Sequence, residues 1–184
     1  DIIRYADYLA HKEGYTKIFI KVPESSVEAF SNDGYISEAT VPFFYRGEEP
    51  AVFMGKYLDP KRKETTDATV TANVLSDAFS HAGERPSYTV PDGFSLMHGH
   101  AGDADHIAVL LQNVFTTYPF PIGDPDYIRG TMQGSIRYFI MKKSHLLAAV
   151  ASCEIDLENQ NAEVTDFATA PLFRGRGFAS LLLN

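Results

Sequence analysis

The pattern of apolar and polar positions over residues 1–58 predicts a helix, a strand, a short helix and two further strands. Apolar residues at Ile2, Ala6, Leu9 and Ala10 share one helix face. Side chains over 17–22 then alternate in the way that is typical of a strand. The remaining predicted elements are a short helix over 23–34 and strands over 35–45 and 51–58.

A second series of elements begins near residue 91. Its periodicity predicts a strand, a helix, a break at three prolines within 117–125, a second helix and three consecutive strands. A terminal helix then begins near Gly177. The predicted elements are a strand over 94–101, helices over 103–115 and 126–134, and strands over 136–143, 146–157 and 162–170.

The segment between the two series is polar and threonine-rich, with one or two helical turns within 73–83, and we interpret it as a linker. The predicted organisation is therefore a first unit over 1–58, a linker over 59–90 and a second unit over 91–184.

Composition and charge narrow the class of protein. A net charge of −8 and a pI near 5.2 argue against a nucleic-acid binder, whose surface is basic, and leave room for a small cationic substrate. The single Cys153 excludes an intrachain disulfide and indicates a reducing setting. No apolar run reaches the ~20 residues of a membrane span and no signal peptide opens the chain, so we expect a cytoplasmic protein without a membrane partner. Because the chain begins at Asp1 rather than Met, we also expect a fragment.

The stretch "APLFRGRGFAS" places a glycine-rich turn between a strand and a helix. The first N–H groups of a helix lack intrahelical partners and carry partial positive charge, and glycines let a ligand approach the main chain. Two arginines add charged donors. The pattern predicts a pyrophosphate-bearing ligand held by the loop residues Arg174, Gly175, Arg176, Gly177, Phe178 and Ala179.

Two familiar phosphate-binding loops do not match this stretch. A Walker loop needs Lys-Ser/Thr after its second glycine, where this chain has Phe178-Ala179. A dinucleotide loop needs a third glycine, where this chain has Ser180. The residues Arg174-x-x-Gly177-x-Ala179 instead resemble the acetyl-CoA loop of the GCN5-related N-acetyltransferase superfamily. The alternative is an ordinary turn with two solvated arginines.

The order of the predicted elements over 91–184 also resembles the N-terminal half of that superfamily, whereas "GYTKIFIKVPESSVEAFSNDGY" resembles its C-terminal half. We expect an α/β acetyltransferase fold with a mixed sheet flanked by helices, preceded by a half-repeat, with the second half of the main domain outside this chain. A circular permutation is the alternative. Residues 14–59 together with "TYPFPI" resemble the β-lysine N-acetyltransferase family more closely.

The resemblance implies a reaction. Acetyl passes from acetyl-CoA to the ε-amine of β-lysine by direct attack, giving a compatible solute, with the pantetheine along the main chain of Phe167, Ala168 and Thr169. The general acid, which gives a proton to the leaving thiolate, is expected in the second half of the main domain, outside this chain. Two alternatives stay open: a non-catalytic acetyl-CoA-binding module, and an acetyltransferase for a protein amine or an aminoglycoside. The oligomeric state is not indicated.

An alkyl amine with a pKa near 10.4 is about one part in a thousand free base at neutral pH, so the site needs a proton acceptor. The resemblance implies Glu163 as the first candidate, because histone-modifying members of the superfamily have their base glutamate at the corresponding offset before the loop, and Asp166 is the second candidate. Strand alternation would place Asp166 on the face opposite Glu163 and Thr165. The candidate substrate contacts are Tyr118 and Glu154.

Two other patterns are possible signs of a metal site and of a reactive thiol. The histidines and acids of "HGHAGDADH" could form a metal site. However, an aspartate in this stretch also suits the N-cap of the following helix, and acetyl transfer needs no metal. We therefore expect no metal site. Cys153 lies among apolar strand residues, where a structural thiol is the usual finding.

Overall fold

A computed structural model describes residues 2–64, 67–83 and 89–183. The chain divides into two compact units, residues 1–85 and 86–184. Within the described residues, no helix combines the length and the apolar character needed to cross a membrane.

The first unit is built on a three-stranded antiparallel sheet in the order β1-β3-β2. Its elements are helix α1 (Ile2–Glu13), strand β1 (Lys17–Pro23), helix α2 (Val27–Ser31), strands β2 (Ile36–Tyr45) and β3 (Glu49–Tyr57), and helix α3 (Ala68–Ser80). A core that includes Val22, Phe30 and Met54 lies on one sheet face. On β1 the alternate position Phe19 is 59% exposed and stacks on Phe53.

Helix α3 lies within the segment that we interpreted as a linker, and its 13 residues exceed the one or two turns expected there. The β-branched residues Thr69, Val70 and Thr71 at its start have low helix propensity, so the sequence did not indicate a helix there. None of its side chains is buried.

The second unit contains the remaining elements. They are strand β4 (Phe94–His98), helices α4 (Ala104–Val114) and α5 (Pro125–Gln133), strands β5 (Ile136–Lys143), β6 (Leu146–Asp156), β7 (Asn161–Val164) and β8 (Ala168–Thr169), and helix α6 (Phe178–Leu183). Helix α4 ends at Val114, before Pro119 and Pro121, and Pro125 begins α5, because proline fits the first turn of a helix.

The sheet of the second unit is antiparallel in the order β4-β5-β6-β7, and β8 pairs with β6 beyond the end of β7. The continuous strand expected over 162–170 is therefore wrong, since three residues between β7 and β8 leave the ladder. Helices cover both faces of this sheet. Residues of α4 and α5, such as Leu111 and Ile128, pack on Ile140 and Val150, while Phe178 of α6 packs with Met141 on the other face.

The expected α/β architecture with helices flanking the sheet is confirmed, and the sheets of the described residues are antiparallel rather than mixed. The half-repeat and the exact unit boundaries stay predictions.

Candidate active site

A cleft of about 270 Å³ opens in the second unit, beside the core that α4 and α5 form with the sheet. Aromatic and apolar side chains make most of its wall, and three polar residues complete it. The lining residues are Tyr118, Phe120, Ile122, Tyr127, Ile136, Tyr138, Glu154, Thr165 and Asp166. Two carboxyl groups among aromatic rings suit a cationic alkyl ligand.

A β-bulge positions the polar part of the cleft. Val164 at the end of β7 lies opposite Cys153, and Ala168 at the start of β8 lies opposite Val150. Residues 151 and 152 of β6 therefore face three residues, 165–167. Such an extra residue bends a strand and redirects its side chains.

The bulge corrects one sequence prediction. Strand alternation would put Thr165 and Asp166 on opposite faces of the sheet, but both side chains line the same cleft. The prediction is wrong because alternation holds only where the ladder is regular.

The Asp166 carboxylate is held by two hydroxyl groups. The Tyr118 phenol donates a hydrogen bond to Oδ1, and the Ser152 hydroxyl donates to Oδ2 at 2.9 Å. The main-chain N–H of Asp166 donates back to Ser152 Oγ at 3.1 Å. Since each carboxylate oxygen has two lone pairs, Asp166 can still accept a proton or a hydrogen bond from a molecule in the cleft.

Burial changes the acidity of the tyrosines around Asp166. Desolvation, followed by the hydrogen bond to Asp166, raises the pKa of Tyr118 well above its ordinary value. Desolvation also raises the pKa of Tyr138, which is 3% exposed. Both phenols therefore remain neutral donors at physiological pH.

The other two candidate acids lie side by side. Glu154 of β6 pairs directly with Glu163 of β7, so their side chains share one sheet face. Glu154 lines the cleft, whereas Glu163 is exposed and is not among the lining residues. The structure thus brings Tyr118, Glu154 and Asp166 together and leaves Glu163 one strand further out.

The glycine loop has the backbone that its sequence indicated. Gly175 and Gly177 have φ values of 75° and 74°, in the left-handed region that favours glycine. The carbonyl of Gly177 accepts the first intrahelical bond of α6 from Leu181 at 3.0 Å. Arg174, Gly175 and Arg176 are exposed, and a Cβ at Gly175 would meet no atom within 4 Å. The loop therefore has room and donors for an anionic group.

The main chain of β8 offers an edge next to this loop. Ala170 N–H donates to Ala148 O at 2.9 Å, so the groups of the preceding residue, Thr169, face away from β6. The Thr169 carbonyl accepts a bond from Arg174 Nε at 3.3 Å. Of the other two residues predicted to contact pantetheine, Phe167 lies in the bulge and Ala168 pairs with Val150.

The histidine-rich stretch forms a structural cap. Asp103 is 2% exposed, accepts from His100 N–H at 3.0 Å and pairs with the Lys142 ammonium. His98 packs against the Phe139 ring, with 4.8 Å between ring centroids. Across the described residues, no group of three or more His, Cys, Asp or Glu side chains is arranged to hold a metal ion. Cys153 is partly buried and does not line the cleft.

The chain is similar to curated acetyltransferases over nearly its whole length. A β-lysine N6-acetyltransferase from Methanococcus maripaludis is 32% identical over 183 residues, which cover 100% of this chain and 66% of the relative. The chain belongs to this acetyltransferase family. N-acetyltransferase YodP from Bacillus subtilis is 29% identical over 95% of the chain and 63% of its own length. A second β-lysine N6-acetyltransferase, from Methanosarcina mazei, is 26% identical over 96% of the chain and 72% of its own length. The chain thus spans about two thirds of these acetyltransferases.

Family profiles and solved structures give no further information about the substrate. No protein-family profile matches the chain. Among solved structures, an aminoglycoside acetyltransferase from an uncultured soil metagenomic sample matches 52% of this chain and 68% of its own, at 13% identity and a TM-score of 0.43. A match at this level carries no information about substrate. The family resemblance found in the sequence is confirmed by the acetyltransferase relatives.

The sequence analysis missed residues that line the cleft and one, Ser152, that is buried beneath it. Ser152 was passed over within an apolar strand, although a lone serine in such a run is a signal in itself. Phe120 and Tyr127 flank the proline break and stack at 6.5 Å between centroids. The aromatic residues clustered around the prolines were the signal that would have indicated this wall.

Proposed function

We propose that the protein transfers the acetyl group of acetyl-CoA to a primary amine of a small cationic substrate, and that the substrate is β-lysine, acetylated on its ε-amine (N6). The observation that carries the proposal is the placement of Asp166 and Tyr118 in an aromatic cleft within a chain homologous to β-lysine N6-acetyltransferases. Such a product would serve as a compatible solute.

Asp166 is the proposed proton acceptor. It faces the cleft with two free lone pairs, whereas Glu163 lies outside the lining. Asp166 takes a proton from the ammonium group, and the neutral amine then attacks the thioester carbon. The carbon–sulfur bond breaks, the sulfur leaves with the electron pair and takes up a proton, and the attacking nitrogen loses its second proton to solvent.

The other lining residues support binding of a diamino acid. The Phe120 and Tyr127 rings offer apolar and π surface to an alkyl chain, and Glu154 offers a second carboxylate for a second ammonium group. The acidic net charge of −8 favours a cationic substrate as well.

The glycine loop and the β8 edge are the proposed site for acetyl-CoA. The arginines Arg174 and Arg176, with the N–H groups of the first turn of α6, would contact the diphosphate. The outward-facing main chain of Thr169 would contact the pantetheine arm.

Calorimetric titration with acetyl-CoA, followed by assay of released thiol with β-lysine, lysine, an aminoglycoside and a lysine peptide, tests the proposal. Binding and thiol release with β-lysine in preference to the other amines are expected. Binding of acetyl-CoA without thiol release in the presence of any of these amines would indicate a non-catalytic module. Absence of acetyl-CoA binding would refute the proposal.

A further inference from the structure

Ser152 is a fully buried hydroxyl group in a strand that is otherwise apolar from Leu146 to Ala151. A buried hydroxyl is costly unless its hydrogen bonds are made. Serine has one donor and two acceptor sites, and here the partners of all three are identifiable.

The hydrogen bonds of Ser152 are as follows. Its hydroxyl proton goes to Asp166 Oδ2 at 2.9 Å, and its oxygen accepts the Asp166 main-chain N–H at 3.1 Å. Thr165 Oγ1 lies 2.7 Å from the same oxygen. Because the single proton of Ser152 is already used, the Thr165 hydroxyl is the donor in this third bond.

Two of these bonds connect Ser152 to the same residue, one to its main chain and one to its carboxylate. The first fixes the bulge at the point where the ladder is irregular, and the second fixes the direction of the side chain. Tyr118 reaches the other carboxylate oxygen from the proline break. The carboxylate is therefore held from two separate elements of the fold.

We infer that Ser152 is a positioning residue, which holds the bulge and directs the Asp166 carboxylate into the cleft for proton transfer. Ser152 itself touches no substrate, because it is 0% exposed beneath Asp166. This inference rests on the proposed function only for its effect on rate, since the hydrogen bonds to Asp166 exist regardless of the reaction catalysed.

The first test measures amide hydrogen exchange at Asp166 by NMR in the wild-type protein and in Ser152→Ala. The Asp166 amide is expected to exchange about tenfold faster in the variant, since its acceptor is lost. Cys153→Ala is the matched control, because it removes a small side-chain atom at the next position, which faces the other side of β6. Unchanged exchange at Asp166 in Ser152→Ala would overturn the inference.

The second test compares thiol release in two backgrounds. Ser152→Ala is expected to lower kcat by about 10- to 100-fold, with an unchanged KM for acetyl-CoA. In the Asp166→Asn background the same change is expected to have no further effect, because Ser152 acts through Asp166. An equal loss in both backgrounds would mean a merely structural role and would overturn the inference.

Ser152→Cys keeps a side chain of similar size and serves if Ser152→Ala does not fold. A thiol is a weak donor, so a smaller loss of kcat in the same direction is expected, and full wild-type kcat would contradict the inference. If the wild-type protein transfers no acetyl group to any amine, the proposed function fails, and the amide exchange alone decides whether Ser152 fixes Asp166.

Discussion

The phenol of Tyr118 donates a hydrogen bond to Oδ1 of Asp166, a residue that lies 48 positions later in the chain. Tyr118 belongs to the proline-rich break after α4, and Asp166 belongs to the bulge between β7 and β8. Two irregular segments thus meet over one cleft, and neither is placed by regular helix or strand geometry. The predictions below concern this contact, the glycine loop and the buried ion pair of the same unit.

Asp166→Asn should lower kcat/KM for the amine by about 10²–10⁴-fold, the usual contribution of a general base. Glu163→Gln is the matched control, since Glu163 lies on the neighbouring strand outside the cleft, and it should retain most of the rate. Steady-state thiol release for both variants measures the difference. The reverse ranking would return Glu163 to the role of base.

Tyr118→Phe should remove one high-pKa phenol from the alkaline titration of the protein. Burial and Asp166 raise the pKa of Tyr118, so its neutral form is favoured in the folded state. The stability that this raised pKa contributes to the folded state is fully present below the ordinary pKa of 10.0. It is lost as the pH rises through the pKa of Tyr118 in the folded protein. Phenolate absorbance against pH measures the change, with Tyr5→Phe as the exposed control. If the phenol that disappears in Tyr118→Phe titrates at the ordinary pKa of tyrosine, the prediction is contradicted.

Gly175→Ala should weaken acetyl-CoA binding by about 1 kcal/mol, roughly fivefold in Kd, because a methyl group would stand where the loop meets the ligand. Gly14→Ala is the matched control. Both glycines have a positive φ, 75° and 71°, and open space around the position of a Cβ. Each substitution should cost about 1 kcal/mol of folding free energy, but only Gly175→Ala should change the calorimetric Kd. Equal effects on binding would place the ligand elsewhere.

Lys142→Met should lower the free energy of unfolding by about 3–5 kcal/mol, because it leaves the buried Asp103 without its cationic partner. Arg129, whose side chain is 35% exposed, pairs with the exposed Asp105 and Asp126, and Arg129→Met should cost at most about 1 kcal/mol. Urea unfolding of both variants measures the contrast. Similar small losses would mean that the Asp103–Lys142 pair contributes little.

The same pair sets an acid dependence of stability. Burial opposes ionisation of Asp103, but hydrogen bonds from Lys142 and His100 outweigh it and lower the pKa of Asp103 below its ordinary value. The stability from this group is therefore present above the ordinary value near 3.8 and is lost as pH falls through the folded value. Unfolding midpoints between pH 5 and pH 2 should fall more steeply for the wild type than for Asp103→Asn, and parallel curves would contradict this.

Regular elements of the second unit were predictable from the sequence. The bounds of β5 agree with the predicted 136–143, because its run of aromatic and apolar residues over 138–141 is followed by two lysines and a turn. The loop was also visible, since Gly175 and Gly177 stand where positive φ is needed.

The bulge was not predictable in this way. Nothing local in "EVTDFATA" indicates that the strand becomes irregular after Thr165, whose N–H still donates to Ser152 O at 2.9 Å, because the irregularity arises from the pairing of both ends with β6. The priority given to Glu163 followed from the superfamily resemblance and from the face that a regular strand would give it. Helix α3 was underestimated because the β-branched residues of its first turn have low helix propensity.

The most direct test of the central claim follows acetyl-CoA labelled with ¹³C at the acetyl carbonyl, incubated with the protein and β-lysine. NMR of the products should reveal the label as an amide on the side-chain nitrogen N6, with free coenzyme A formed in equal amount, and this signal should build up about 10²–10⁴-fold more slowly with Asp166→Asn. Label retained on the thioester, or an acetylated product formed equally well by Asp166→Asn, would contradict the account.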